Sequence, residues 1–411
     1  MQSKELAMTI IDDDLLGYPA PRAADRPLDP PPTLLGLLAG TPITRVRIED
    51  GRPAWLVTGY EDQRALMADP RVSADTSHPN FPAKTRAAAG GGAKVSFITM
   101  DGPEHLRLRR MVTRPFMIKN VQAMRPAIQK ITDDLIDKML AGPRPVDFVS
   151  AFALPLPSLV ICELLGVPYE DHDFFQETSN QIVAIAPDDP LRPERAMQTL
   201  AKFMMELVAK KQAEPGNDVS TELAERVTKG ELTLVEAGGI GMLLLFAGHE
   251  TTANMIALST VALLEHPEQL ALLQQEDNEA VAVTATEELL RYLHITHTGR
   301  RRVVLEDIEF AGETMKAGEG LILPNDIANR DPAAFENPNE LDIEREAGHH
   351  VAFGFGVHQC LGQPLARVEL QIVLSTLYRR IPTLRLAAGL DELNFKHDVN
   401  VYGVHELPVT W

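Results

Sequence analysis

A mainly α-helical protein with small β-sheets is the fold class that the sequence predicts. Three observations carry it. Most long segments place apolar residues at helical spacing, the longest from about Leu234 to Glu265. Strand-like pieces are few: Trp55-Leu56-Val57-Thr58 between Gly51 and Gly59, and several short ones between Phe310 and Val409. The 30 prolines and 27 glycines are scattered as loop punctuation, with no internal repeat.

The 411 residues are 45% hydrophobic, ample for a large core. Two cysteines, Cys162 and Cys360, make no disulfide framework, and their count fits a reducing compartment. Met1 to Asp14 carries charges and no signal-peptide core. The most apolar run, Ile240 to Ala247, meets His249 and Glu250 too soon to span a bilayer. A soluble, cytoplasmic protein away from membranes is expected. A formal net charge of −19 argues against nucleic acid, which needs a basic surface; acidity of this kind serves solubility.

Taken in chain order, Ala83 to Met100 contains Gly90-Gly91-Gly92, whose entropy suits a surface loop or a mobile lid. Asp101-Gly102-Pro103-Glu104-His105 reads as a helix start, with Asp101 as cap and Pro103 in the first turn. His105 and Arg109 share a face there, which suits either a carboxylate or phosphate ligand or a basic solvated surface. Helices are expected over Asp171–Ile185 and Glu194–Gln212, broken at Ala186–Pro190 and again at Glu214–Asp218.

The segment from Leu234 to Glu265 would make a helix roughly 45 Å long at about 1.5 Å per residue. It is apolar on most faces, so it belongs inside a large protein. Ala247-Gly248-His249-Glu250-Thr251-Thr252 within it is a local conflict, because a buried helix favours neither glycine nor an acid. Gly248 would leave room for a small ligand. Thr251 can bond the carbonyl one turn back and widen the helix, and Glu250 could relay protons. A kinked core helix whose acid reaches solvent fits the same residues. Gly238-Gly239-Ile240-Gly241 lacks a preceding strand and does not read as a dinucleotide loop. Glu288 and Arg291, three apart, by themselves describe a surface bridge.

Phe353-Gly354-Phe355-Gly356-Val357-His358-Gln359-Cys360-Leu361-Gly362 sets a cysteine in a glycine-rich loop before a helical run. A thiolate near neutral pH needs positive charge, a metal or backbone donors. Such a loop suits a flat metal cofactor with axial sulfur, and haem iron is the leading candidate. His349, His350, His358 and Cys360 match no usual zinc spacing.

As an ordered set, Ala-Gly-x-Glu-Thr-Thr, Glu288-x-x-Arg291 and Phe353-x-x-Gly356-x-x-x-Cys360-x-Gly362 resemble the haem-thiolate monooxygenases, the cytochrome P450 family. The resemblance runs from about Trp55 to Trp411. Asp69 to Asp75, and less specifically Tyr402 to Val409, look like the soluble actinomycete branch. It implies an α-rich prism with a long central helix over the haem, in a single domain covering 1–411. The β-containing part would be about 40–75 with 300–411, and the helical body about 100–300.

The resemblance also implies roles. Cys360 matches the iron ligand and Phe353 the ring packed near its sulfur. His105, Arg109, Arg302 and His358 match positions that hold the haem propionates. Gly248, Glu250 and Thr251 match the oxygen-activating part of the long helix, Glu250 and Thr251 as the catalytic pair. Glu288 and Arg291 with Arg345 match a structural ion triad, and Leu341 stands where the family usually has an aromatic. The implied cofactor is haem b (iron protoporphyrin IX) and the co-substrate is O2. Electrons would come from an iron–sulfur ferredoxin and its NAD(P)H-dependent reductase, docking on basic residues such as Arg107 and Arg110. The pocket would be lined by the Phe81–Ile98 loop, the Ile182–Pro190 break, Leu243, Leu244 and Ala247, Ile295 to Thr298, and Val399 to Tyr402, including Val401. A bulky, largely apolar substrate of polyketide, macrolide, terpenoid or steroid-like type would suit it. A peroxide-driven oxygenase or dehydratase on the same fold, or a non-catalytic haem sensor, are the rival readings.

Overall fold

The computed structural model describes residues 15–83, 97–183, 189, 191–397 and 401–411. About half of the chain is helical, and the strands are short. The expected helices at 171–185, 194–212 and 234–265 appear as His172–Val183, Arg192–Ala213 and Leu234–Leu264. Most of the proposed lid, residues 84–96, and most of the 182–190 break lie outside the described residues.

Leu234–Leu264 is the axis of the molecule. It begins at a capping box that the sequence reading missed: Thr233 accepts from the Glu236 amide, and the Glu236 carboxylate accepts from the Thr233 amide. Helices Arg192–Ala213 and Pro155–Leu165 pack along it. The glycine run at its start is a packing seat. A Cβ on Gly238 would lie 2.3 Å from Met205 Cγ, and one on Gly241 2.6 Å from Met204 Cε. The helix is α-helical throughout, so the widening expected at Thr251 does not occur.

A five-stranded sheet unites distant parts of the chain. Its order is Ile43–Arg47, Pro53–Val57, Gly320–Leu323, Arg300–Val304, Val72–Ser73. Only the Pro53–Val57 and Gly320–Leu323 pairing is parallel, with Trp55 opposite Leu321. Alternate residues enter different cores: Trp55, Val57, Leu321 and Leu323 one, and Ala54, Leu56 and Ile322 another. Both faces are therefore covered. The main core is helical and takes in Leu341 at the position where an aromatic was expected. Among the described residues no helix is long and apolar enough to cross a membrane.

Candidate functional site

The cysteine loop is fixed by its own backbone. Cys360 N donates to Phe353 O at 2.9 Å, and the amides of Gly362 and Gln363 hydrogen-bond the sulfur at the start of helix Gln363–Arg380. Gly354 and Gly356 have φ of 75° and 73°, and a Cβ on Gly356 would meet Met67 O at 2.6 Å. The loop thus presses directly on helix Tyr60–Ala68. Burial pushes the Cys360 thiol up, opposed by the two amides, Arg300 and Arg109. Yet the residue is exposed. A group that is both desolvated and accessible lies on the wall of an internal cavity. Its thiol stays protonated near neutral pH unless a metal takes the sulfur.

The four cationic residues expected beside the cofactor converge on this loop. His105, buried on helix Gly102–Met111, faces His358 with ring centroids 4.2 Å apart. Arg109 Nη2 donates to Gln359 O at 2.5 Å. His358 Nε2 lies 3.1 Å from Asp101 Oδ1. Asp101 makes no side-chain cap, contrary to expectation; its carboxylate accepts from Ser73, from Ala74 N and from His358. Burial would raise it, but those bonds hold it down to about 2. Burial, then the charges of His358 and Arg109, push His105 down to about 4, so its ring is neutral. Its buried Nε2 has no partner.

Arg302 shares its strand face with Arg300, which the sequence reading missed. Burial and then Arg300 push Arg302 down to about 10. Arg300 donates to Ala352 O at 3.3 Å, and its guanidinium fills the space where a Cβ on Gly354 would stand, 3.0 Å away. Its Nε is buried without a partner. Among the described residues no carboxylate is within ion-pair distance of either arginine. The alternation of strand residues was the available signal: two residues before Arg302 means the same face.

Two ion networks, one part-buried and one fully buried at its centre, brace the loop. Arg367 Nε and Nη2 donate to the two Glu287 oxygens, at 2.7 and 2.9 Å, and the guanidinium lies over the Phe353 ring at 4.6 Å. His350 adds a contact to Glu287 at 3.2 Å. The Glu288–Arg291 pair is completely buried, with Arg345 Nε 3.2 Å from Glu288 Oε1. It is therefore an internal triad and not a surface bridge. His349, His350 and His358 contact Ala334, Glu287 and Asp101 respectively, three separate partners.

One accessible stripe of the long helix lies beside Phe246, which is exposed as well. Leu243 and Thr251 are part-exposed and Ala247 is exposed, at i, i+4 and i+8. Thr251 Oγ1 donates to Ala247 O at 2.6 Å. Leu244 is a correction: one step round the helix, it is buried in the main core and lies off this stripe. Gly248 is a second. A Cβ there would lie 3.3 Å from Ile161 Cδ1, so the room it leaves goes to a neighbouring helix. Glu250 is buried and paired with Lys396 at 2.8 Å, a partner the sequence did not suggest. Ile295 and Val401 are part-exposed, and Val399 lies outside the described residues.

These residues fit haem. A sulfur stands on a cavity wall. Beside it, Arg109, Arg300 and Arg302 have no anionic partner among the described residues, and two buried nitrogens, His105 Nε2 and Arg300 Nε, are unbonded. A macrocycle with two carboxylates would satisfy both. Arg107, in contrast, is committed to Glu104 and Glu236, each at 2.7 Å, which removes it as a free docking charge.

Comparison with known proteins agrees. The family profile described as Cytochrome P450 matches residues 41–381. The chain is 53% identical over 406 residues to Cytochrome P450 GfsF of Streptomyces halstedii, covering 97% of both. It is 48% identical over 387 residues to pentalenic acid synthase of Streptomyces avermitilis, covering 94% of this chain and 95% of that protein. The crystal structure of GfsF superposes with a TM-score of 0.91, covering 96% of this chain and all of that one (100%). That of mycinamicin VIII C21 methyl hydroxylase from Micromonospora griseorubida, bound to mycinamicin VIII, gives 0.87 at 40% identity, covering 97% and 100%.

Proposed function

Because the chain belongs to the cytochrome P450 family and is a haem-dependent monooxygenase, we propose that it oxidises a bulky, largely apolar secondary metabolite. A polyketide, macrolide, terpenoid or steroid-like molecule is the class. The carrying observation is Cys360 on a cavity wall amid five cationic or imidazole side chains: His105, Arg109, Arg300, Arg302 and His358. The accessible stripe of Leu243 and Ala247 supplies apolar contact beside the Thr251 hydroxyl. The names of two relatives concern mycinamicin VIII and pentalenic acid, which supports that substrate class.

Bound haem with cysteine sulfur supplies oxygen activation when electrons and protons arrive. The chain's residues then have separable tasks. His105, Arg109, Arg300, Arg302 and His358 would hold the carboxylates. The amides of Gly362 and Gln363 stabilise the sulfur's negative charge. Thr251 spends its own proton on Ala247 O, so its lone pairs are free to accept and orient a proton donor. Glu250, the adjacent acid, is the proton relay. No Cys-x-x-Cys-His attachment exists, which supports non-covalent haem b. Electrons come from an iron–sulfur ferredoxin and its NAD(P)H-dependent reductase, with Arg110 available on the docking side and the protein in the cytoplasm.

The test is reconstitution with ferredoxin, reductase and NADPH, using substrates chosen by their low-spin to high-spin shift. Oxygenated product is expected. Thr251→Ala should keep the shifted Soret band of the reduced carbon-monoxide complex yet divert electrons to peroxide. Turnover with peroxide and none with the reductase chain would establish the peroxide-driven reading instead. Tight ligand binding with no product under either supply would make the protein a haem sensor.

A further inference from the structure

The C-terminal hairpin grips the long helix at two points beside Glu250. Its arms bridge at Phe395 and Val404, and Lys396 N donates to Gly403 O at 2.9 Å. From one arm, Lys396 Nζ reaches Glu250 Oε1 at 2.8 Å, with the two side chains only 13% and 6% exposed. From the other, Gly403 packs on Asn254 so closely that a Cβ would lie 1.7 Å from Asn254 Oδ1. Asn254 Nδ2 donates to the same Glu250 oxygen at 2.8 Å. Tyr402 anchors the hairpin: its amide donates to Ile295 O at 2.6 Å and its hydroxyl to Pro27 O at 2.8 Å.

We propose that Lys396 is a positioning residue for oxygen activation: it holds Glu250 as a carboxylate turned onto the C-terminal hairpin, and loosening of that contact frees the acid to take up and pass on a proton. The proposal rests on the reading of Glu250 as the proton relay.

The physical argument is one of opposed effects. Burial pushes the Glu250 acid up, while the charge and hydrogen bond of Lys396, the Asn254 amide and His249 together hold it down. Lys396 is the only cation among these groups; His249 is itself pushed down to about 4 by burial, so it is neutral at pH 7. Without Lys396, burial is opposed only by one amide and a neutral ring. The acid then moves into the range where it can be protonated. A permanently ionised carboxylate accepts protons but has none to give. A relay through Glu250 therefore needs the ion pair to open. Val401, part-exposed on the same hairpin, gives a bound substrate a lever on Lys396.

The test compares Lys396→Met, which removes the charge, with Lys396→Arg, which keeps it, in the haem-loaded ferric protein at pH 7. Infrared difference spectra should show the carbonyl stretch of a protonated carboxyl in Lys396→Met. The band should be missing from wild type and from Lys396→Arg, and should vanish in the Lys396→Met, Glu250→Gln double variant. Lys396→Gln serves with the same expectation if the methionine variant does not fold. An ionised Glu250 in both neutral variants would overturn the proposal and leave the relay reading intact. During turnover, Lys396→Met should change both the solvent isotope effect and the peroxide share at unchanged KM. If the infrared band appears but both of these match wild type, Glu250 lies outside the proton path, and the relay reading falls with the proposal.

Discussion

Glu288→Ala is the sharpest test of how the cysteine loop is held. Arg291 Nε and Nη2 lie 2.7 and 2.8 Å from the two Glu288 oxygens, and neither side chain has any exposed area. Arg291 also donates to Asn329 O at 2.9 Å, Pro338 O at 2.7 Å and Glu340 O at 3.2 Å. Glu288 in turn accepts from Arg345 Nε at 3.2 Å and from Asp342 N at 3.0 Å. Truncation leaves a fully buried guanidinium without its anion, which costs about 3–5 kcal/mol. The stranded Asp342 amide adds about 1 kcal/mol. The sum, about 4–6 kcal/mol, is a large share of the roughly 5–15 kcal/mol that keeps a domain folded. It also reaches the site, because Asn329 Oδ1 accepts from Val351 N at 2.9 Å, two residues before Phe353. Denaturant unfolding should show the loss, with haem released earlier than in wild type. The double variant Glu288→Ala, Arg291→Met should recover part of it, since the fully buried unpaired charge is gone and only the partly exposed Arg345 is left without its anion. A cost below about 1 kcal/mol, or strictly additive single-variant effects, would refute the reasoning.

Two further outcomes are expected. Arg300→Gln removes a charge-assisted hydrogen bond worth about 1.5–3 kcal/mol, so haem transfer to excess apomyoglobin should quicken about 10- to 100-fold; Arg300→Lys should fall between, and an unchanged rate would show that Arg300 does not face the cofactor. Burial alone raises Glu369 from 4.5 to about 8. Below its unfolded value the acid is protonated in both states; as pH rises from 4.5 towards 8 the unfolded chain loses the proton first, so stability falls across that window. Glu369→Gln should flatten the stability curve there, and parallel curves would mean that Glu369 is ionised in the fold.

Local patterns were legible where one stretch of chain carries its own signal. The long helix, its neighbours at His172–Val183 and Arg192–Ala213, and the cysteine loop with its two left-handed glycines all belong to this kind. Partnership was harder to read. Asp101 has the residue type of a helix cap, yet Ser73, Ala74 and His358 compete for its carboxylate and win. Gly248 has the size to admit a ligand, yet Ile161 occupies the space. Leu244 and Leu243 are equivalent as apolar residues, and a single step of helical rotation sends one into the core. Arg107 has the charge of a docking residue, and two glutamates consume it.

The sequence alone determined the helical class, the cysteine with its cradle, and the acid–alcohol pair within the long helix. Each follows from propensity, periodicity and short-range chemistry among residues close in the chain. Only the tertiary structure decided which charges are free and which are spent. Arg300 gains its place because Arg300–Val304 pairs with Gly320–Leu323 and sets that strand face on Gly354. Lys396 meets Glu250 from 146 residues away, through a hairpin seated on Gly403. Such contacts depend on burial and on where the chain returns in space. An electrostatic interaction follows distance and local dielectric, and neither is written in the spacing of residues along the chain.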